Sequence, residues 1–141
     1  MWKIKIIGFC LLIGTSIYCY SQETKTIIPQ FTDVKIQNHE GMVDNTCIKW
    51  LGKSKCLHLL QEFELAFNKT GNNYADYYRS YYIMKPEPDK LWITLIPRKL
   101  MEVSKKTKQP IPLDSKFLEI SYDLKTKKIS KPVATGTKII A

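Results

Sequence analysis

One helical stripe constrains this chain more than any other feature. Cys56, Leu59, Leu60, Phe63 and Phe67 fall at i, i+3, i+4, i+7 and i+11, the spacing of one α-helical face, while Glu62, Glu64 and Lys69 lie elsewhere on the wheel. The spacing predicts a helix over residues 55–68, with Ser54 capping its start and Gly71 its end. That face needs an apolar partner. Residues 90–96 (KLWITLI) and 117–124 (FLEISYDL) supply it as strands, the second alternating Leu118, Ile120, Tyr122 and Leu124 with Glu119, Ser121 and Asp123. Residues 129–133 add a short edge strand, the setting in which Pro132 is tolerated. The segment 74–84 fits two periods. Tyr74, Tyr77, Tyr78, Tyr81 and Tyr82 match a helical stripe that Asn73 and Asp76 would cap. Tyrosine favours strands, however, and Pro86-Glu87-Pro88-Asp89 makes a turn that would join 81–85 to 91–96 as a hairpin, so strand is the preferred reading. A helix followed by antiparallel strands predicts an α+β fold: one main amphipathic helix packed on an antiparallel sheet of about four strands.

The first 21 residues read as an export signal. Lys3 and Lys5 precede the apolar run 6–13 (IIGFCLLI), a more polar stretch follows, and Cys19 and Ser21 place small side chains three and one positions before a cut after Ser21. As a membrane anchor, the uncharged run 6–22 falls short of the roughly 20 apolar residues a span needs, and Gly8, Gly14 and three hydroxyl residues dilute it. As a lipoprotein signal, Cys19 would carry the lipid, but bulky Tyr18 precedes it. The expectation is export to a periplasm or the exterior, with membrane attachment only if the signal stays uncleaved or Cys19 is lipidated. Residues 22–45 then form an irregular lead-in, with one short strand near 31–36, and residues 46–141 the single α+β domain.

Cleavage leaves Cys47 and Cys56, which an oxidising compartment would pair as a disulfide. Closing that short loop removes about 2.5 to 3 kcal/mol of unfolded-chain entropy. The bond carries a geometric condition, because one unbroken helix from 47 to 56 would hold the residues about 13 Å apart. Gly52 is the natural place for a break.

Chemistry-bearing patterns are sparse. Only His39 and His58 titrate near neutrality; His58 reads as the rim of the packed helix and His39 as a solvated loop residue. Cys47, Cys56, His58 and His39 have no spacing of the kind zinc modules use, no serine lies in a nucleophile elbow, and the glycines are too scattered to cradle phosphate, so no cofactor or metal is expected. Charge says more. Residues 22–97 carry nine basic and nine acidic groups, whereas 98–141 carry eleven basic and four acidic. Lys105, Lys106 and Lys108 crowd one connection between strands and Lys125, Lys127 and Lys128 the next, where they would steer an acidic partner or simply keep the domain soluble. With arginine nearly absent, sequence-specific nucleic-acid binding is not expected.

Lys85-Pro86 leading into a strand with Trp92, Pro97 closing that strand, and the run Asp123-Leu124-Lys125-Thr126-Lys127-Lys128-Ile129 together resemble small exported or immunity-type domains of the cystatin-like, nuclear-transport-factor-like fold. The run is similar to the Asp-x-Lys-Thr-Gly-Lys-Ile hairpin of those domains, with Lys127 where the turn glycine would stand and Pro110-Ile111-Pro112 in place of an expected glycine pair. The resemblance covers about a third of the chain. It implies a helix wrapped by a curved antiparallel sheet and protein binding rather than catalysis, and it transfers no active residue.

The resulting expectation is an exported binding protein, of inhibitor or immunity type, whose partner is another protein with an acidic surface. The six lysines would steer, and Tyr77, Tyr81 and Trp92 would anchor. Two other classes stay open: a small envelope hydrolase using Glu or Asp with His39 or His58, and a structural envelope component that binds polyanions or glycans.

Overall fold

Residue 31 onward pairs at once into a hairpin. In the computed structural model, which describes residues 31–72, 74–112 and 115–135, strand β1 (Phe31–Ile36) turns back onto β2 (His39–Asp44) with Ile36 opposite His39. The two loop residues, Gln37 and Asn38, both take left-handed backbone (φ 49° and 69°), the combination whose twist matches that of the flanking strands. Helices α1 (Asn45–Leu51) and α2 (Lys53–Asn68) follow, then β3 (Tyr77–Tyr82), β4 (Lys90–Pro97), α3 (Arg98–Thr107), β5 (Phe117–Asp123) and β6 (Val133–Thr135). The six strands form one sheet in chain order. Every neighbouring pair is antiparallel except β2 and β3. A parallel pair needs a crossover, and α1 with α2 provides it.

The fold is α+β, as the sequence indicates, but with six strands and three helices among the described residues rather than about four strands and one main helix. The additional elements lie where apolar residues are few. β2 (HEGMVD) buries His39, Gly41 and Val43, and an imidazole and a glycine do not read as a hydrophobic alternation. Of the lead-in expected over 22–45, the short strand at 31–36 is present as β1, and 39–44, expected to be irregular, is a second strand, β2; residues 22–30 lie outside the described residues. α3 replaces the expected open connection around Lys105 and Lys106: Pro97 ends β4, and only Met101 of the ten helical residues is buried. The strands expected at 90–96 and 117–124 are present, and 74–84 contains a strand that pairs antiparallel with β4 from Tyr77–Pro97 to Tyr82–Trp92. The expected signal segment, residues 1–21, lies outside the described residues.

Alternation along the strands divides the core. On one face Ile36, Val43, Tyr81, Leu91, Ile93, Leu95, Ile120 and Tyr122 meet Cys56, Leu60, Phe63 and Phe67 of α2. Leu60 and Phe63 are wholly buried, and each such side chain contributes about 1.5–3 kcal/mol. Phe63 stacks on Phe67 and meets Tyr81 and Tyr122 edge-on. On the other face, Met101 of α3 packs with Tyr78, Ile96 and Phe117 in a smaller cluster.

α1 and α2 are separate helices because Gly52 takes φ 83°, a left-handed value, with ψ 149°. Ser54 lies inside α2 rather than at its cap, and Gly52 occupies that position without a side-chain bond. α1 has the better start: the Asp44 carboxylate accepts from the Thr46 amide at 2.7 Å.

Candidate functional site

The seven residues of α1 are fixed at both ends, by the Asp44 cap and by the Gly52 amide donating to Ile48 O at 2.8 Å. This turns Cys47 inward and leaves Trp50 58% exposed, one turn further on. Opposite Trp50, the β3–β4 connection is folded by two bonds, Glu87 N to Met84 O at 3.1 Å and Lys90 N to Glu87 O at 3.2 Å. Between these two elements lies a mainly apolar pocket of about 270 Å³, lined by Thr46, Cys47, Trp50, Ile83, Met84, Lys85 and Pro88. Its volume suits one large apolar side chain or a small apolar ligand, and Lys85 places a cation among its walls. A more polar groove of about 320 Å³ runs between β1 and α2, past Val34, Ile36, Ile48, Lys53, Leu57 and Gln61.

Behind the pocket wall the two expected cysteines meet. Cys47 Sγ lies 3.4 Å from Cys56 Sγ, both residues are buried, and no covalent bond joins the two sulfurs in this structure. The break at Gly52 thus satisfies the geometric condition for pairing. The sulfurs share a hydrogen bond that pushes the Cys47 thiol up and the Cys56 thiol down from the usual cysteine range.

The most concentrated polar chemistry is internal. Glu64, expected off the apolar stripe of α2, is wholly buried and faces the sheet. Arg79 Nε donates to Glu64 Oε1 at 3.1 Å, and the Tyr81 hydroxyl donates to the same oxygen at 2.6 Å. Arg79 Nη1 also donates to Tyr74 O at 2.6 Å and Tyr77 O at 2.8 Å. His39 Nε2 stands 3.8 Å from Glu64 Oε2, so the expected loop histidine is a buried member of this cluster. Burial, then the Arg79 cation, hold His39 below its usual 6.5, while Glu64 and a hydrogen bond with Asn68 pull the other way. Gly41 makes room for the cluster: a Cβ there would lie 2.7 Å from Arg79 O and 3.0 Å from Arg79 Cβ. Enclosure makes the network a tie between α2 and the sheet, closed to substrate. In the sequence, Glu64 falls four residues after Leu60 and three before Phe67, which places it on the stripe's edge, and Arg79 takes the inward phase between Tyr77 and Tyr81.

The proposed partner contacts do not form one surface. Lys105 lies over the Tyr78 ring at 4.8 Å, on the α3 side of the sheet near the end of β4. Lys125 bonds Asp89 at 2.9 Å and Lys127 bonds Glu62 of α2 at 2.7 Å, at the start of β4 and on the other face. Six residues of β4 separate the two groups, roughly 20 Å at strand rise. Lys106, Lys108 and Lys128 are exposed, with Lys106 in α3 and Lys108 its left-handed cap at φ 54°. Tyr81 is wholly buried and unavailable as an anchor, and Tyr77 is half-buried edge-on to Tyr74. Trp92 is partly buried on the α3 side, its Nε1 enclosed without a hydrogen-bond partner. His58 is exposed.

No family model matches the chain, nor does any curated protein or solved structure.

Proposed function

We propose that the protein is an exported binding protein, of inhibitor or immunity type, that captures another protein by seating one of its apolar side chains in the pocket between α1 and the β3–β4 connection. The observation that carries this reading is Trp50: an indole that is 58% exposed, at the wall of a pocket of about 270 Å³ whose other walls are mainly apolar. Tryptophan costs much to leave in water and little to order, so it is a favoured interface anchor. Lys85 would meet an acidic residue beside the inserted side chain, and the exposed lysines of α3 would assist approach without entering the contact.

The test is recovery of partners from the exported fraction of the producing cell by three tagged forms: wild type, Trp50→Ser, and a form with Lys105, Lys106, Lys108, Lys125, Lys127 and Lys128 changed to Glu. The expected result is a discrete partner that Trp50→Ser loses and the lysine variant still captures, only more slowly. Equal recovery by wild type and Trp50→Ser removes the pocket from the account.

A further inference from the structure

We infer that Cys47 and Cys56 are a thiol-oxidation site whose disulfide fixes one wall of the binding pocket. The inference deepens the proposed function and rests on it for the use of the pocket. Four observations converge. The two sulfurs are 3.4 Å apart and buried. They come from different helices, brought together by the break at Gly52. One of them, Cys47, lines the pocket, with Trp50 on the same short helix. That helix has seven residues, well below the roughly 12–15 that hold a helix without help, so its position depends on what ties it to α2.

The step balances as thiol–disulfide exchange with a disulfide-bearing protein oxidant. One cysteine thiolate attacks a sulfur of the oxidant, forming a mixed disulfide and releasing one oxidant thiolate. The second cysteine thiolate then attacks the sulfur of the first, forming the Cys47–Cys56 bond and releasing the other. Two cysteine protons pass to the two oxidant thiolates, and two electrons pass from the pair to the oxidant. Closure to a bond of about 2.05 Å moves the sulfurs together by little more than an ångström, which side-chain rotation and a slight shift of α1 supply. Because both residues are buried in the folded chain, exchange takes place before α1 packs, and the finished bond is shielded from reductant.

The test uses native material isolated from the producing cell without reductant, unfolded in urea with N-ethylmaleimide. The expected mass shows no adduct on Cys47 or Cys56 and the loss of two hydrogens; two adducts overturn the inference. Wild type and Cys47→Ala/Cys56→Ala are then compared for binding of 1-anilinonaphthalene-8-sulfonate, a probe with apolar rings for the pocket and a sulfonate for Lys85. Val103→Ser, on exposed α3, controls for binding elsewhere. The unlinked variant should bind about threefold or more weakly, because the pocket-competent position of α1 is less populated, and its unfolding equilibrium constant should rise about a hundredfold. Equal dye affinity in the linked and unlinked forms overturns the role assigned to the bond. A disulfide found together with undiminished dye binding by Trp50→Ser would instead count against the pocket, so the two readings fail separately.

Discussion

Removing Arg79 alone should destabilise this protein strongly, because it leaves a buried carboxylate without its cation. Glu64 is wholly buried, and its carboxylate is held by Arg79 Nε at 3.1 Å and the Tyr81 hydroxyl at 2.6 Å. In Arg79→Met the aliphatic volume is largely kept, but a buried carboxylate loses its cation and two carbonyls, Tyr74 O and Tyr77 O, lose a donor. Breaking a buried pair from one side costs about 3–5 kcal/mol, against a total of about 5–15 kcal/mol for a domain of this kind. The double change Glu64→Met/Arg79→Met removes both charges and both desolvation penalties, so it should recover most of the loss and come within about 2 kcal/mol of wild type. Tyr81→Phe, which takes away one hydroxyl and leaves the ion pair, should cost about 1–2 kcal/mol. Urea unfolding followed by far-ultraviolet circular dichroism measures these three variants and Glu64→Met against wild type. A loss below about 1 kcal/mol for Arg79→Met, or a double variant as unstable as the sum of the singles, would refute the buried-pair reasoning.

Other consequences follow from the same geometry. His39 in the folded chain titrates below its usual 6.5, chiefly because burial and then Arg79 disfavour its cation. The unfolded chain therefore binds the extra proton first: the histidine's contribution is complete above 6.5 and is lost as pH falls from there toward the lowered folded value. The urea midpoint should drop between about pH 7.5 and about pH 5.5, and His39→Gln should flatten that part of the profile; an unchanged slope would contradict it. Gly41→Ala should cost about 1–3 kcal/mol, since the new Cβ meets backbone, Arg79 O at 2.7 Å, and forces β2 from β3; thermal melting decides, and a neutral result would mean the strands can separate freely. Lys125→Ala should leave the melting temperature essentially unchanged despite its short bond to Asp89, because that pair lies in solvent, and a clear drop in the same melts would show a coupling the geometry does not contain.

Much of this fold is legible because its strongest elements repeat one period. The stripe through Leu60, Phe63 and Phe67 defines α2, and the alternation through Ile120 and Tyr122 defines β5. β2 escapes that logic. Its inward positions carry His39 for a polar cluster and Gly41 for close approach to Arg79, choices made by tertiary contact rather than propensity. α3 escapes it too, since Leu100, Met101 and Val103 are the three apolar residues of a ten-residue, lysine-rich segment that reads as a solvated connection. Lys127 shows a third limit: it takes φ 59° where a turn glycine would be easier, while its ammonium bonds Glu62, a contact 65 positions back in the chain. The approach of Cys47 to Cys56 is legible from their spacing and the Gly52 break, but the pocket beside them is not. Trp50 falls outside the helical stripe, and Met84, Lys85 and Pro88 belong to a connection whose fold depends on local turn bonds.

The claim at the centre is that a partner protein touches Trp50. A photo-reactive phenylalanine analogue placed at position 50, and in a second strain at the similarly exposed Val103, examines that contact inside the producing cell. Irradiation should yield one discrete heavier species from position 50 and none of the same mass from position 103. No adduct from position 50, or the same adducts from both positions, would contradict the account.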